Sequence, residues 1–142
     1  MSTTGTTGTT LEDLRINVRV KLSALWVSML LLFAYGDIFG FFQAGQLEEI
    51  ANGEISGIEV TQTFLFVVSL YIAIASAMVF LVLVLPPVAA RWPNIVLAVL
   101  YIVSILASAL GEAAYVWLLS VAEIAVLATI VWYAWSWPRR PS

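Results

Sequence analysis

The chain has 142 residues, of which 62% are hydrophobic and 11% charged, with a net charge of −3. Soluble domains carry about 25% charged residues and at this size bury only about two-thirds of their surface, which excludes water as the solvent for so much apolar side chain. Cysteine and histidine are absent, excluding disulfides, thiolate nucleophiles, the commonest metal ligand and the usual proton shuttle, and the small net charge gives no electrostatic basis for nucleic-acid binding.

In chain order, residues 1–9 (MSTTGTTGT) are small, polar and repetitive and predict a disordered tail. A single membrane domain is expected over 10–138, followed by a cytoplasmic tail at 139–142. Thr10 and Asp13 have capping-box spacing, with Asp in place of the usual Glu. Leu11, Leu14, Val18, Leu22 and Leu25 then recur at helical spacing, with Arg15, Asn17, Arg19 and Lys21 on the other side. That pattern predicts an amphipathic helix lying on the membrane face or extending the first span.

Four apolar runs follow, each near the 20 residues that cross about 30 Å of hydrocarbon. The first spans about 22–42; its length, and Phe42 where a small residue is wanted, argue against a cleaved signal peptide. The second spans about 62–85 and ends at Pro86-Pro87, since proline cannot continue a helix. The third spans about 94–110 from a start at Pro93-Asn94, and Gly111-Glu112 marks a tight turn. The fourth spans about 114–137 and stops at Pro138. The expected fold is therefore all-α: a four-transmembrane-helix bundle with an N-terminal amphipathic extension. In the loop at 43–61, Leu47, Ile50 and Ala51 share a face and Asn52-Gly53 ends it, predicting a short outer interfacial helix.

Charge sets the expected orientation. Arg15, Arg19 and Lys21 precede the first span, Arg91 lies between the second and third, and Arg139 and Arg140 follow the fourth. Glu48, Glu49, Glu54, Glu59 and Glu112 occupy the other side. Positive loops stay in the cytoplasm, so both termini are expected there. Trp26, Trp92, Trp132, Trp135 and Trp137 fall at the same ends, as an aromatic belt would, and Trp117 at the outer end.

Two carboxylates lie inside the spans, Asp37 in YGDIFGFF and Glu123 near the middle of the fourth, and no lysine or arginine accompanies them. A charge at mid-membrane costs about 2.5–3.5 kcal/mol on insertion scales. Each carboxylate must therefore be protonated, hydrogen-bonded within the bundle, wet, or paired with a cation. For Glu123 the readings are a structural bond, as to Ser120, a proton or cation site, or contact with a partner subunit. Gly36-x-x-x-Gly40 has the spacing that lets helix backbones pack closely, and it turns Asp37 toward the bundle. From the outer third of the membrane Asp37 is placed to reach Glu112, Tyr115 or Gln62, a setting that suits a cationic ligand from outside or one shared proton. Tyr35, Tyr71, Tyr101 and Tyr115 either line a polar seam or serve as core and belt aromatics.

LEDLRINVRVKLSALW, YGDIFGFF, TQTFL, RWPNIVL, the GE pair and WYAWSWP together resemble a family of small bacterial four-span membrane proteins catalogued as a domain of unknown function. The resemblance covers most of Leu11 to Pro138 and implies a bacterial inner-membrane protein, with no activity or catalytic residue to transfer. Small multidrug exporters are similar in size, but their membrane glutamate lies in the first span.

The expected function is non-enzymatic, with no cofactor: an accessory or scaffold bundle, or one that binds a hydrophobic ligand. A homo-oligomer or a partner membrane subunit is expected in the bilayer. The alternative is a proton- or cation-coupled transporter or channel using Asp37, Glu112 and Glu123. Third comes a lipid-modifying enzyme with Asp37 and Glu112 as acid and base.

Overall fold

A computed structural model describes residues 15–138. The expected tail at 1–9, the cap at Thr10 and Asp13, the positions Leu11 and Leu14, and the tail at 139–142 lie outside the described residues. The elements are helix α1 (Val18–Gly40), helix α2 (Gln46–Ala51), strands β1 (Glu54–Ile55) and β2 (Ile58–Glu59), and helices α3 (Gln62–Val84), α4 (Pro87–Ser108) and α5 (Ala114–Trp135). α1, α3, α4 and α5 have 22 or 23 residues each and are long and apolar enough to cross a membrane. At about 1.5 Å per residue each reaches about 33 Å, slightly more than the hydrocarbon thickness.

Two boundaries differ from the sequence expectation, each for a local reason. Of the two placements expected for the amphipathic stretch, an extension of the first span stops at Val18, because Asn17 is extended and its side chain accepts the Arg19 N–H at 2.9 Å; its residues before Arg15 lie outside the described residues. A short polar side chain that bonds nearby amides is a helix start instead of a helix interior. α4 starts at Pro87, six residues before the expected Pro93-Asn94. Pro87 occupies the first turn, where a missing N–H costs nothing. Pro93 lies inside the helix, where it can remove only one i→i−4 bond, and Asn94 Nδ2 donates to Ala90 O at 2.7 Å one turn earlier.

The connection between α1 and α3 is compact. α2 carries Leu47 and Ile50 and ends at Asn52, with Gly53 at φ +81°. Ser56 (φ +49°) and Gly57 (φ +74°) join β1 to β2, which pair antiparallel with Ile55 opposite Ile58. Positive φ at both turn residues matches the right-handed strand twist of a two-residue hairpin.

α1 packs on α3 and α5, and α5 packs on α4, while α3 and α4 are the weakest of the neighbouring pairs. α1 and α4 therefore face each other diagonally. Buried side chains concentrate toward the end that carries Arg19, Lys21 and Arg91: Leu22, Trp26 and Met29 on α1, Ala75, Met78 and Val82 on α3, and Leu127, Ile130 and Ala134 on α5. We call this the basic end; the α1–α3 connection and the Gly111 turn form the acidic end. Trp26 is a correction to the belt expectation. It is fully buried, donates its indole N–H to Asn94 Oδ1 across the bundle at 2.7 Å, and meets Tyr101 edge-on. Its place near the helix end did not reveal that it turns inward. Trp92, Trp117, Trp132 and Trp135 are exposed.

The basic residues also close helix ends. Arg19 Nη1 donates to Leu83 O at 2.9 Å at the end of α3, and Arg91 Nη2 donates to Trp135 O at 3.3 Å at the end of α5. Cations suit helix C-termini, where carbonyls lack partners and the dipole is negative.

Candidate functional site

The helices separate toward the acidic end. On α3, every residue from Leu65 to Leu70 is exposed, whereas Ala75, Met78 and Val82 are buried. The resulting cavity holds about 530 Å³ and is lined by all four long helices. α1 contributes Phe33, Gly36 and Asp37; α3 contributes Val67, Val68, Tyr71 and Ile72; α4 contributes Ser104, Ile105 and Ser108; α5 contributes residues from Tyr115 to Glu123. These residues lie in the acidic halves of their helices, so the cavity lies in that half of the bundle.

Below it, aromatic rings form a floor. Phe33 lies 5.7 Å from Tyr71 and 6.0 Å from Tyr101, and the two tyrosine rings are 4.3 Å apart. A closed set of hydrogen bonds ties α3 to α4 here. Tyr101 Oη donates to Tyr71 O, and Ser104 Oγ donates to Tyr101 O at 2.8 Å. Since that uses the single serine proton, Tyr71 Oη must donate to Ser104 Oγ, 2.7 Å away. Polar groups inside a bundle are costly unless satisfied, and this set satisfies all three side chains.

Asp37 and Glu123 line the same cavity. Glu123 is 8% exposed, and Asp37 lies more open near the mouth. Glu123 lies nine residues from the start of α5, about 14 Å along the axis by helical rise. Among the described residues no cationic side chain lines the cavity. Among the described residues Glu123 makes no hydrogen bond, so the expected bond to Ser120 is not formed; both groups face the cavity instead.

The remaining expected site residues divide. Tyr115 lines the cavity near its mouth. Gln62, at the start of α3, and Glu112, in the Gly111 turn, are exposed and outside the lining. Asp37 thus shares its space with Glu123 and not with Glu112, because Glu112 sits on the turn above the bundle while Glu123 faces inward from α5. Gly36 does not require the expected close approach: a β-carbon there would lie 3.6 Å from Leu119 Cδ1, an ordinary van der Waals contact. Nor does Gly40, since a β-carbon would meet nothing within 4 Å. The Gly36/Gly40 pair is therefore not a packing seam within the chain. Of the tyrosines, Tyr71 and Tyr115 line the cavity, Tyr101 is buried in its floor, and Tyr35 is exposed beside Phe39. Ser104 is a site residue the sequence did not mark, since its part in the floor depends on how α3 and α4 are turned.

The site chemistry is thus two carboxylates in an apolar cavity within the spans, without a basic partner. The family of unknown function DUF6326 has a model that matches residues 12–141. The chain belongs to this family. The match takes in every element that builds the cavity, so a four-helix bundle with its intramembrane carboxylates lies wholly within the family region. No curated protein and no solved structure matches the chain.

Proposed function

We propose that this protein is a non-enzymatic, ligand-binding membrane bundle whose cavity takes a small organic cation with an apolar body. The observation that carries the reading is the joint presence of Asp37 and Glu123 in one apolar cavity that lacks a basic side chain. Removing a charge from water without a partner is costly, and a cationic ligand supplies the missing partner. A volume near 530 Å³ falls within the roughly 300–1,000 Å³ of small-molecule sites. Val67, Val68, Ile72, Val116 and Leu119 would hold an apolar body. The aromatic floor and the packed half beneath it favour a one-ended binding site over an open channel.

The charge pattern supports the orientation. With arginine and lysine gathered at one end, the basic end faces the cytoplasm and the cavity opens outward. A bacterial inner membrane suits this arrangement.

The test uses the chain in lipid nanodiscs and quaternary ammonium ions of rising size, among them benzyltrimethylammonium. Its neutral isostere, neopentylbenzene, serves as the control. Calorimetry is expected to show saturable binding of the cation and at least tenfold weaker binding of the isostere. Equal affinity for both, or no binding of any cation in the series, would overturn the reading.

A further inference from the structure

A second cleft, of about 940 Å³, opens at the basic end between the segment at Arg15–Arg19, the start of α4 and the residues after α5. Arg15, Arg19 and Arg91 line it together with Ile16, Val18, Val88 and Trp137. Three arginines from two separate parts of the chain thus line one concave surface with apolar walls. Among the described residues, the acidic side chains lie at the opposite end or in the cavity, so none lines this cleft.

The arginines are held in different ways. Arg19 and Arg91 are fixed by the carbonyls of Leu83 and Trp135, and Arg91 is further held against the Trp92 and Trp135 rings at 5.9 and 5.5 Å. Each carbonyl takes one of the five donors that a guanidinium carries. Among the described residues Arg91 Nε has no partner. Arg15 is exposed and, among the described residues, makes no hydrogen bond. The set is therefore preorganised but not saturated. It also sits where α1 and α4 begin and α3 and α5 end, the level at which a bilayer presents its headgroups.

From this we infer that the cleft is a binding site for the phosphate headgroup of an anionic phospholipid, with Arg15, Arg19 and Arg91 as its ligands and the apolar wall receiving the upper acyl chain. Charge complementarity chooses the occupant: guanidinium forks match phosphate oxygens, and apolar side chains beside them match a lipid better than a soluble anion. Basic pockets on the cytoplasmic side of membrane bundles are suited to such headgroups. The inference does not depend on what the carboxylate cavity binds.

Native mass spectrometry of the chain released from nanodiscs tests it. The nanodiscs contain phosphatidylcholine, or phosphatidylcholine mixed with phosphatidylglycerol of the same acyl chains. Phosphatidylglycerol is expected to be retained in clear preference to phosphatidylcholine. Each of Arg15→Gln and Arg91→Gln is expected to lower that preference about fivefold, and Glu123→Gln to leave it unchanged. Arg15→Gln is the decisive variant, because among the described residues that side chain bonds no other group. Inorganic phosphate and glycerophosphoglycerol are added as competitors and are expected to displace little lipid. Equal retention of the two lipids, an undiminished preference in Arg15→Gln, or displacement by free phosphate would overturn the proposal; the last would mark a soluble-anion site.

Discussion

Glu123→Gln is expected to weaken binding of a quaternary ammonium ion by about 10- to 100-fold while leaving the bundle as stable as before, or more so. The affinity loss follows from Coulomb attraction: at about 4 Å and an effective dielectric near 20 a charge pair is worth about 4 kcal/mol, part of which desolvation offsets. About 1.4 kcal/mol corresponds to each tenfold change in affinity. The stability gain follows from the same burial. Glu123 is 8% exposed and has no hydrogen-bond partner among the described residues. An ionised carboxylate in that setting opposes folding, and glutamine keeps the shape without the charge. Asp37→Asn is expected to act in the same direction but less, since Asp37 lies in the more open mouth where the attraction is better screened. Calorimetry and thermal unfolding in matched nanodiscs measure both quantities. Lower affinity together with lower stability would mean that Glu123 is a structural tie.

Trp26→Ala is expected to be the most destabilising single substitution in the spans. The side chain is fully buried and bridges the diagonal from α1 to Asn94 on α4. Truncating a buried tryptophan costs about 3–5 kcal/mol in soluble cores. In a bilayer the lower end applies, because lipid is itself apolar and packing, not burial, is what is lost. Trp26→Phe separates the two contributions. It keeps most of the contact with Tyr101 and removes the indole donor, leaving Asn94 Oδ1 unpaired at a cost of about 1–3 kcal/mol. Pairing Trp26→Phe with Asn94→Leu in a double-mutant cycle is expected to give a coupling of about 0.6–2 kcal/mol by unfolding in mixed micelles. A coupling near zero would show that the bond does not contribute.

Much of the architecture could be read from the chain because hydrophobic run length is a strong signal in membrane proteins. The runs around Leu30, Ile74 and Leu127 are long and nearly free of charge, and the helices lie there. The start of α4 was harder to read. Arg91, Trp92 and Pro93 look like a connecting loop in one dimension, yet Arg91 reaches the end of α5 and Pro93 falls within the helix. The short helix α2 was legible because Asn52-Gly53 marks its end and its apolar residues share a face.

The site was legible in part, for a geometric reason. Sequence gives the depth of a residue within a span but not which way it faces or which helices are neighbours. Depth alone offered Glu112, Tyr115 or Gln62 as neighbours of Asp37; Tyr115 does line the same cavity, and the inward face of α5 adds Glu123, which depth did not suggest. Gly40 failed as a packing residue for the same reason: its spacing from Gly36 is right, but no helix lies against it. Tyr71 and Tyr101 could be read as seam or core aromatics, but the hydrogen bonds that join them to Ser104 exist only once α3 and α4 stand side by side.

The central claim is that Glu123 faces a cavity within the membrane that an organic cation can occupy. Dicyclohexylcarbodiimide, a membrane-soluble reagent for carboxyl groups, tests it in intact nanodiscs, with the modified residue located by mass spectrometry. Labelling at Glu123 is predicted, with protection in proportion to the occupancy of added benzyltrimethylammonium and none from neopentylbenzene. Labelling that the cation leaves unchanged, or a Glu123 that reacts only after the bundle is unfolded, would contradict it.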